Sequence, residues 1–129
     1  MKDYSRQEVF NRSRQEIFNR VINHLVSQGQ QSVNVDGLCL YHSPSGTSCA
    51  VGCLISEEDY SPSMEGADVG YIVKKYENLQ WMKQFGELLD DLQDLHDVDG
   101  NWDNQGLSSN GLEHIQMIAD MRGLTNPLT

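Results

Sequence analysis

The chain has 129 residues, 9 of them basic and 19 acidic, for a formal net charge of −10. That length fits one domain with one modest core, and no run approaches the roughly 20 apolar residues that cross a bilayer. So acidic a body is repelled by nucleic acid and by anionic membrane surfaces, which weighs against direct binding to either.

The charge is unevenly spread. Residues 1–20 hold five basic against three acidic side chains, and the other 109 hold four against sixteen. A partner with a basic surface is therefore the natural one. Three cysteines, an odd number, follow an N-terminus, "MKDYSRQE", that lacks an apolar signal core. Reduced thiols in a cytoplasm are the expectation.

Residues 5–20 read "SRQEVFNRSRQEIFNR", one octapeptide written twice with Val9 changed to Ile17. Eight residues turn an ideal helix by about 800°, so the second copy falls about 80° out of phase with the first. From the second copy onward Ile17, Phe18, Val21, Ile22 and Leu25 take the spacing of a core-facing stripe. The first copy offers only Val9 and Phe10 before Arg14 interrupts. The reading is one domain over 1–129 with 1–12 as a helical N-terminal extension, a surface through which two copies could pair. Gly29 can cap this first helix in the left-handed conformation.

Next, "SVNVDGLCLYHSPSGTSCAVGCLI" mixes Val33, Val35, Leu38 and Leu40 with the turn signals Asp36-Gly37 and Ser43-Pro44-Ser45-Gly46. That pattern predicts a short β-hairpin. Thr47 or Ser48 then serves as N-cap for a helix starting at Cys49. Ser61 and Pro62 read as an N-cap and first helical position of a one-turn helix ended by Gly66, and residues 68–76 carry no decisive pattern.

In "NLQWMKQFGELLDDLQDLHD", Trp81, Phe85, Leu88, Leu89, Leu92, Leu95 and His96 share one helical face. Glu87, Asp90, Asp91 and Asp94 share the opposite one. Gly86, which costs about 1 kcal/mol against Ala in a helix, suggests close packing at its position. A last helix runs from about Gly111 to Arg122, with Leu112, Ile115, Ile118, Ala119 and Met121 inward, Asn110 as N-cap and Gly123 as the stop. The fold class expected is mainly α, a small helical bundle with a short β-hairpin insertion.

Cys39, His42, Cys49 and Cys53 are the residue types that hold zinc and fall within fifteen residues, but their spacing matches no standard finger. Small buried thiols are the plainer reading, and no metal or other cofactor is expected. Cys49 as a nucleophile with His42 or His96 as base lacks any family signature, and His96 on the apolar face reads as a core histidine. The loop "SPSGTS" before a presumed helix start could hold an anion. With Tyr41, His42 and Tyr60 beside Ser45, Gly46, Thr47 and Ser48, it is the candidate site for a phosphate-bearing small molecule. Asp97, Asp99, Asn101 and Asp103 alternate like a calcium loop, but neither alignment supplies both the glycine and the final glutamate that such a loop needs. Trp102 reads as a packing residue.

The carboxylate row Glu87, Asp90, Asp91, Asp94 and Asp97 contains no basic residue. Carboxylates spaced roughly 5–6 Å apart along a helix make a negative stripe that could occupy a phosphate-binding groove on a partner, where charge complementarity sets encounter rate and selectivity. Glu87, Asp90, Asp91, Asp94 and Asp97 are the expected partner-binding residues.

The stretches "CAVGCLI", "DYSPSMEG" and "LQDLHD", then Trp102 and "IADMRGL", together resemble a loose group of small phage- and prophage-encoded proteins. These share Cys-Ala-Val-Gly-x-Leu-Ile, a Tyr and a Glu-Gly shortly after, Leu-Gln-x-x-His-Asp, and a Trp before a final helix. The resemblance spans residues 39–124 and leaves out the doubled octapeptide. The group has no established activity, so what it implies is context: a phage-type accessory protein in the cytoplasm of a bacterial host. Together these readings point to a non-enzymatic binding protein that engages a host protein, as an inhibitor of a host nucleic-acid-binding or anti-phage defence system such as CRISPR. The rivals are a small-molecule binder and, behind it, a cysteine- or zinc-dependent enzyme.

Overall fold

The computed structural model describes residues 14–129. Among these residues four α-helices are joined by 3-10 segments and one two-strand antiparallel hairpin: α1 (Arg14–Gln28), α2 (Val69–Lys75), α3 (Gly86–Asp97), α4 (Ser109–Arg122), and β1 (Trp102–Asp103) paired with β2 (Gly106–Leu107). The chain is mainly α with a short β insertion, as its periodicity indicates. The N-terminal extension and any pairing through it lie outside the described residues. No helix among them is long and apolar enough to cross a membrane.

Helix α1 buries Ile17, Phe18, Val21, Ile22 and Leu25, the stripe that begins in the second octapeptide. Each such side chain contributes about 1.5–3 kcal/mol on leaving water, so this one face anchors the helix. Its polar side reaches the chain that follows. Gln28 accepts from Ser48 N–H at 2.8 Å and donates to Ser48 O at 2.9 Å, so its amide stands in for a neighbouring strand.

The expected hairpin in 33–48 is reduced to two isolated bridges, Val33 with Cys39 and His42 with Ser48, and the true hairpin forms in the polar loop at 102–107. No helix starts at Cys49 either. Only Gly52–Leu54 makes a 3-10 turn, and Ser48 spends its backbone on Gln28. The reason is tertiary: the backbone at Gly52 lies so close to Tyr41 that an added Cβ would run into the Tyr41 carbonyl.

Local cap chemistry holds better. Ser61 Oγ accepts from Ser63 N–H with Pro62 at the first position, and Gly66 follows at φ +84°. Asp68 caps α2 by accepting from Tyr71 N–H at 2.8 Å. Gly123 closes α4 at φ +69°. The N-cap of α4 is Ser108, whose Oγ accepts from Gly111 N–H, in place of the expected Asn110. The buried face is Gly111, Ile115, Ile118 and Ala119, and at about 100° per residue Leu112 and Met121 fall to either side of it, 46% and 59% exposed, where both were expected inward.

The long segment expected as one helix divides. Glu77–Phe85 winds as 3-10 and α3 takes over at Gly86, after Phe85 at φ −104°, ψ +16°. Phe85, Leu88, Leu89, Leu92, Leu95 and His96 are buried as their spacing requires, and Trp81 is half-buried. Gly86 does not pack closely: a Cβ there would meet nothing within 4 Å.

Candidate functional site

Residues 39–67 are pinned to one carboxylate. Glu65 Oε1 accepts from Tyr41 N–H at 2.8 Å, and Oε2 accepts from His42 N–H at 3.1 Å and from the Tyr60 hydroxyl at 2.6 Å. The Tyr60 ring stacks on His42 with centroids 4.3 Å apart, and His42 Nε2–H donates to Gly52 O at 2.8 Å. Burial and the adjacent Glu65 both push the Tyr60 phenol up, so it stays a donor. Tyr41 O–H donates to Ala67 O at 2.7 Å.

From the other side α3 presents Gln93, His96 and Asp97. Gln93 Oε1 accepts from Val51 N–H at 3.1 Å while its Nε2 donates to Asp97 Oδ1 at 3.1 Å. His96 is fully buried. Its Nε2 accepts from Ser32 N–H at 2.9 Å, and since a backbone amide can only donate, the ring proton sits on Nδ1 and goes to Asp97 Oδ1 at 2.8 Å. Trp102 donates from Nε1 to His96 O at 2.9 Å and meets the imidazole edge-on. Tyr60, Glu65, Gln93, His96, Asp97 and Trp102 thus belong to one brace between the 39–67 segment and α3.

The brace surrounds a concavity of about 540 Å³. Asp68 from the cap of α2 and Asp90, Asp94 and Asp97 from α3 line it with Tyr41 and Gln93, and none of its described lining residues is basic. Burial, then Asp94, Asp91 and Asp68, raise the Asp90 carboxyl above its ordinary range. Like charges held together without a counter-ion cost stability, so this is where a cation gains most.

The negative stripe expected on α3 is thereby split. Arg122, arriving from α4, donates from Nε to Asp91 Oδ2 at 2.6 Å and from Nη1 to Glu87 Oε1 at 3.3 Å. Asp91 is only 19% exposed in that pair. Asp97 is engaged by His96 and Gln93 and forms the inner wall of the concavity. Of the five residues, Asp90 and Asp94 are the two that combine exposure with an uncompensated neighbourhood. Asp68, from the segment before α2, joins them, and Glu65 and Gln93 hold the walls. Asp68 was not singled out by sequence reasoning, and Glu65 and Gln93 entered only as letters of the phage-like pattern, with no role attached. For Gln93 the i, i+4 spacing to Asp97 was an available signal.

Cys39, His42, Cys49 and Cys53 serve separate ends. His42 is stacked and bonded as above, Cys49 Sγ accepts from Gly52 N–H at 3.3 Å, and Cys53 Sγ donates to Ala50 O at 3.1 Å. Among the described residues, ligand-type atoms come within 4.8 Å of one another in Cys39, His96 and Asp97. A cation there would need the Nδ1 lone pair, which is occupied by a proton as long as Ser32 donates to Nε2; the donor set does not fit a metal. Burial pushes the thiols of Cys39, Cys49 and Cys53 each up to about 12, in Cys39 with the hydrogen bond to Asp97 acting the same way. A nucleophile is a thiolate, and burial opposes forming one at all three positions.

The 43–48 loop is closed on itself. Ser43 Oγ lies 2.9 Å from Ser45 Oγ and 2.6 Å from Thr47 Oγ1, Thr47 donates on to Ser32 Oγ, Gly46 turns at φ +96°, and no helix N-terminus follows. The expected anion site loses both its hydroxyls and its dipole. The calcium-like alternation dissolves likewise: Asp99 accepts from Gln31, Asp103 from Gln105 N–H, and the Asn101 amide points inward to Leu95 O. In comparisons with known proteins, no family model, no curated protein and no solved structure matches this chain.

Proposed function

We propose that this is a non-enzymatic binding protein that engages a basic partner protein, with a lysine or arginine side chain of that partner entering the concavity formed by Asp68, Asp90, Asp94 and Asp97. The observation that carries the reading is the convergence of four carboxylates from two elements on one space of about 540 Å³ with no basic residue in its described lining. The resemblance to phage-encoded proteins supplies the context: a host protein as target, one that handles nucleic acid or serves anti-phage defence, with CRISPR inhibition as one instance. Such targets carry basic surfaces, and opposite fields speed encounter and select the partner more than they tighten the complex.

The test is capture from a bacterial lysate at low and high salt, with the wild-type chain beside an Asp90→Asn/Asp94→Asn variant. The expected outcome is a salt-sensitive partner lost with the variant while the far-ultraviolet spectrum is unchanged. Equal capture by both proteins overturns the reading. A second occupant, a free organic cation, is favoured by the volume, which lies within the range of small-molecule sites. Thermal shifts with spermidine separate it, since a ligand at 100 times its dissociation constant adds about 2.7 kcal/mol.

A further inference from the structure

We propose that the acidic concavity is one end of a longer groove, and that its occupant is an extended peptide segment of the partner with a basic side chain at one end, apolar residues in the middle and a carboxylate at the other. The inference rests on the reading that a basic side chain enters at Asp90 and Asp94.

Three concavities follow one another along α3 and the turn before it and share their walls. The acidic one, about 540 Å³, shares Val69 and Asp90 with a second of about 230 Å³. That one shares Lys83 and Gly86 with a third of about 290 Å³, to which Arg14 and Arg122 also contribute. Gly86, Asp90, Asp94 and Asp97 follow the i, i+3, i+4 spacing of one face of α3, with Lys83 in the 3-10 segment just before it, so the track runs the length of α3. A helix of twelve residues spans about 17 Å, the reach of about five residues of extended chain.

Chemistry changes sign along this track. At one end stand the aspartates. In the middle Val69, Val73 and Met82 make an apolar floor, with Lys74 also in the lining, and Gly86 leaves open space where any other residue would put a side chain. At the far end are Lys83, Arg14 and Arg122 with Glu87 in the same lining, three cations to one carboxylate, Arg122 being tied to Asp91 and Glu87. Three of the six basic side chains in the described residues thus gather at one end of a groove in which the charged residues of the other end are all acidic.

Charge complementarity decides the occupant. A uniformly basic segment, the kind that binds nucleic acid, is attracted at Asp94 and repelled at Lys83. A segment of opposite terminal charges is attracted at both ends. The chain therefore selects a mixed-charge linear motif and discriminates against polybasic sequences, which a plain mimic of nucleic acid would not do.

The test titrates fluorescein-labelled five-residue peptides into the full chain: Arg-Val-Ala-Val-Glu, its reverse Glu-Val-Ala-Val-Arg, and the same-charge controls Arg-Val-Ala-Val-Arg and Glu-Val-Ala-Val-Glu. One of the two mixed-charge peptides is expected to bind roughly tenfold tighter than either control, a change that one charge contact suffices to produce. Lys83→Glu, an exposed position, is expected to shift the preference to the doubly basic peptide by a similar factor. Gly86→Leu should abolish binding of the mixed-charge peptide and leave argininamide, which needs only the acidic end, bound as before. If the wild-type chain holds the doubly basic peptide as well as the mixed ones, the groove falls and the acidic pocket stands. If neither the peptides nor argininamide saturates the chain, both fall.

Discussion

The backbone N–H of Ser32 donates to Nε2 of His96 across 2.9 Å of fully buried interior. That single bond fixes the imidazole tautomer, aims Nδ1–H at Asp97, and ties the segment after α1 to the end of α3. A histidine followed by aspartate at the rim of a pocket invites a catalytic story, yet both ring nitrogens are spent on holding two elements together. The expected behaviour is therefore structural. His96→Leu leaves the Ser32 amide buried without a partner and should cost about 2–4 kcal/mol. His96→Gln, which can place an acceptor near the Nε2 position, should keep more than half of the lost stability. Urea midpoints of the two variants check the order, and a Leu variant as stable as the Gln variant would contradict the assignment.

Two glycines that look alike in the sequence should respond in opposite directions. A Cβ at Gly52 would collide with the Tyr41 carbonyl, and neither backbone can step aside alone. Gly52→Ala must therefore move the 39–42 segment off the turn and should cost at least about 3 kcal/mol. Gly86 sits at right-handed helical angles, φ −50° and ψ −48°, with open space around it. Gly86→Ala should therefore stabilise by about 0.4–1 kcal/mol, chiefly by restricting the unfolded chain. Thermal unfolding of the pair is the measurement, and a destabilised Gly86→Ala would restore the close packing that the sequence suggests.

These glycines show where sequence reading reaches and where it stops. The stripe from Ile17 to Leu25, the buried leucines of α3, the Ser61–Pro62 start and the Gly123 stop were legible because each depends on residues within a turn or two of one another. The helix expected at Cys49 has acceptable local chemistry. It fails because Gly52 and Tyr41, too far apart along the chain for any local rule to link them, compete for the same space. The start of α4 was misplaced because Ser108 and Asn110 are both good caps. Only the packing of Gly111 against Asn101 O, which leaves no room for a Cβ, chooses between them. The acidity of α3 was legible, its division was not: Arg122 lies 31 residues from Asp91, and Asp68 belongs to a segment with no decisive pattern.

Asp90 should report the strain of the acidic concavity directly. Its folded-state carboxyl is raised above the ordinary 3.8 by burial and by Asp94, Asp91 and Asp68. A raised acid binds its proton more tightly in the folded chain than in the unfolded one, so folding is favoured while it is protonated. That advantage is lost as pH climbs from below 3.8 through the raised value. Above that window the charge opposes folding. Asp90→Asn should therefore raise the unfolding temperature at pH 7 and leave it nearly unchanged near pH 3. The gain stays modest, because the side chain is exposed and solvent screens it. A variant that is less stable than wild type at pH 7 would mean that Asp90 has a stabilising partner after all.

Arg122 separates the pocket from the stripe. Its guanidinium reaches from the last turn of α4, where a cation also suits the helix dipole, to Asp91 at 2.6 Å and Glu87 at 3.3 Å. Glu87 is 87% exposed and adds little, whereas Asp91 at 19% is shielded enough for the bond to count. Arg122→Gln should lower the unfolding temperature slightly, and less so in high salt. It also frees two carboxylates and makes the outer face of α3 more negative. If a partner recognised the whole row from Glu87 to Asp97, that change would strengthen its capture. If it recognises the concavity at Asp90 and Asp94 alone, capture at low salt should match wild type within about twofold, a difference of under about 0.5 kcal/mol, and it should fall further if the partner's segment also reaches the basic end at Lys83 and Arg122. Measuring stability and capture on the same variant decides between the two surfaces, because only the row model couples a loss in the first to a gain in the second.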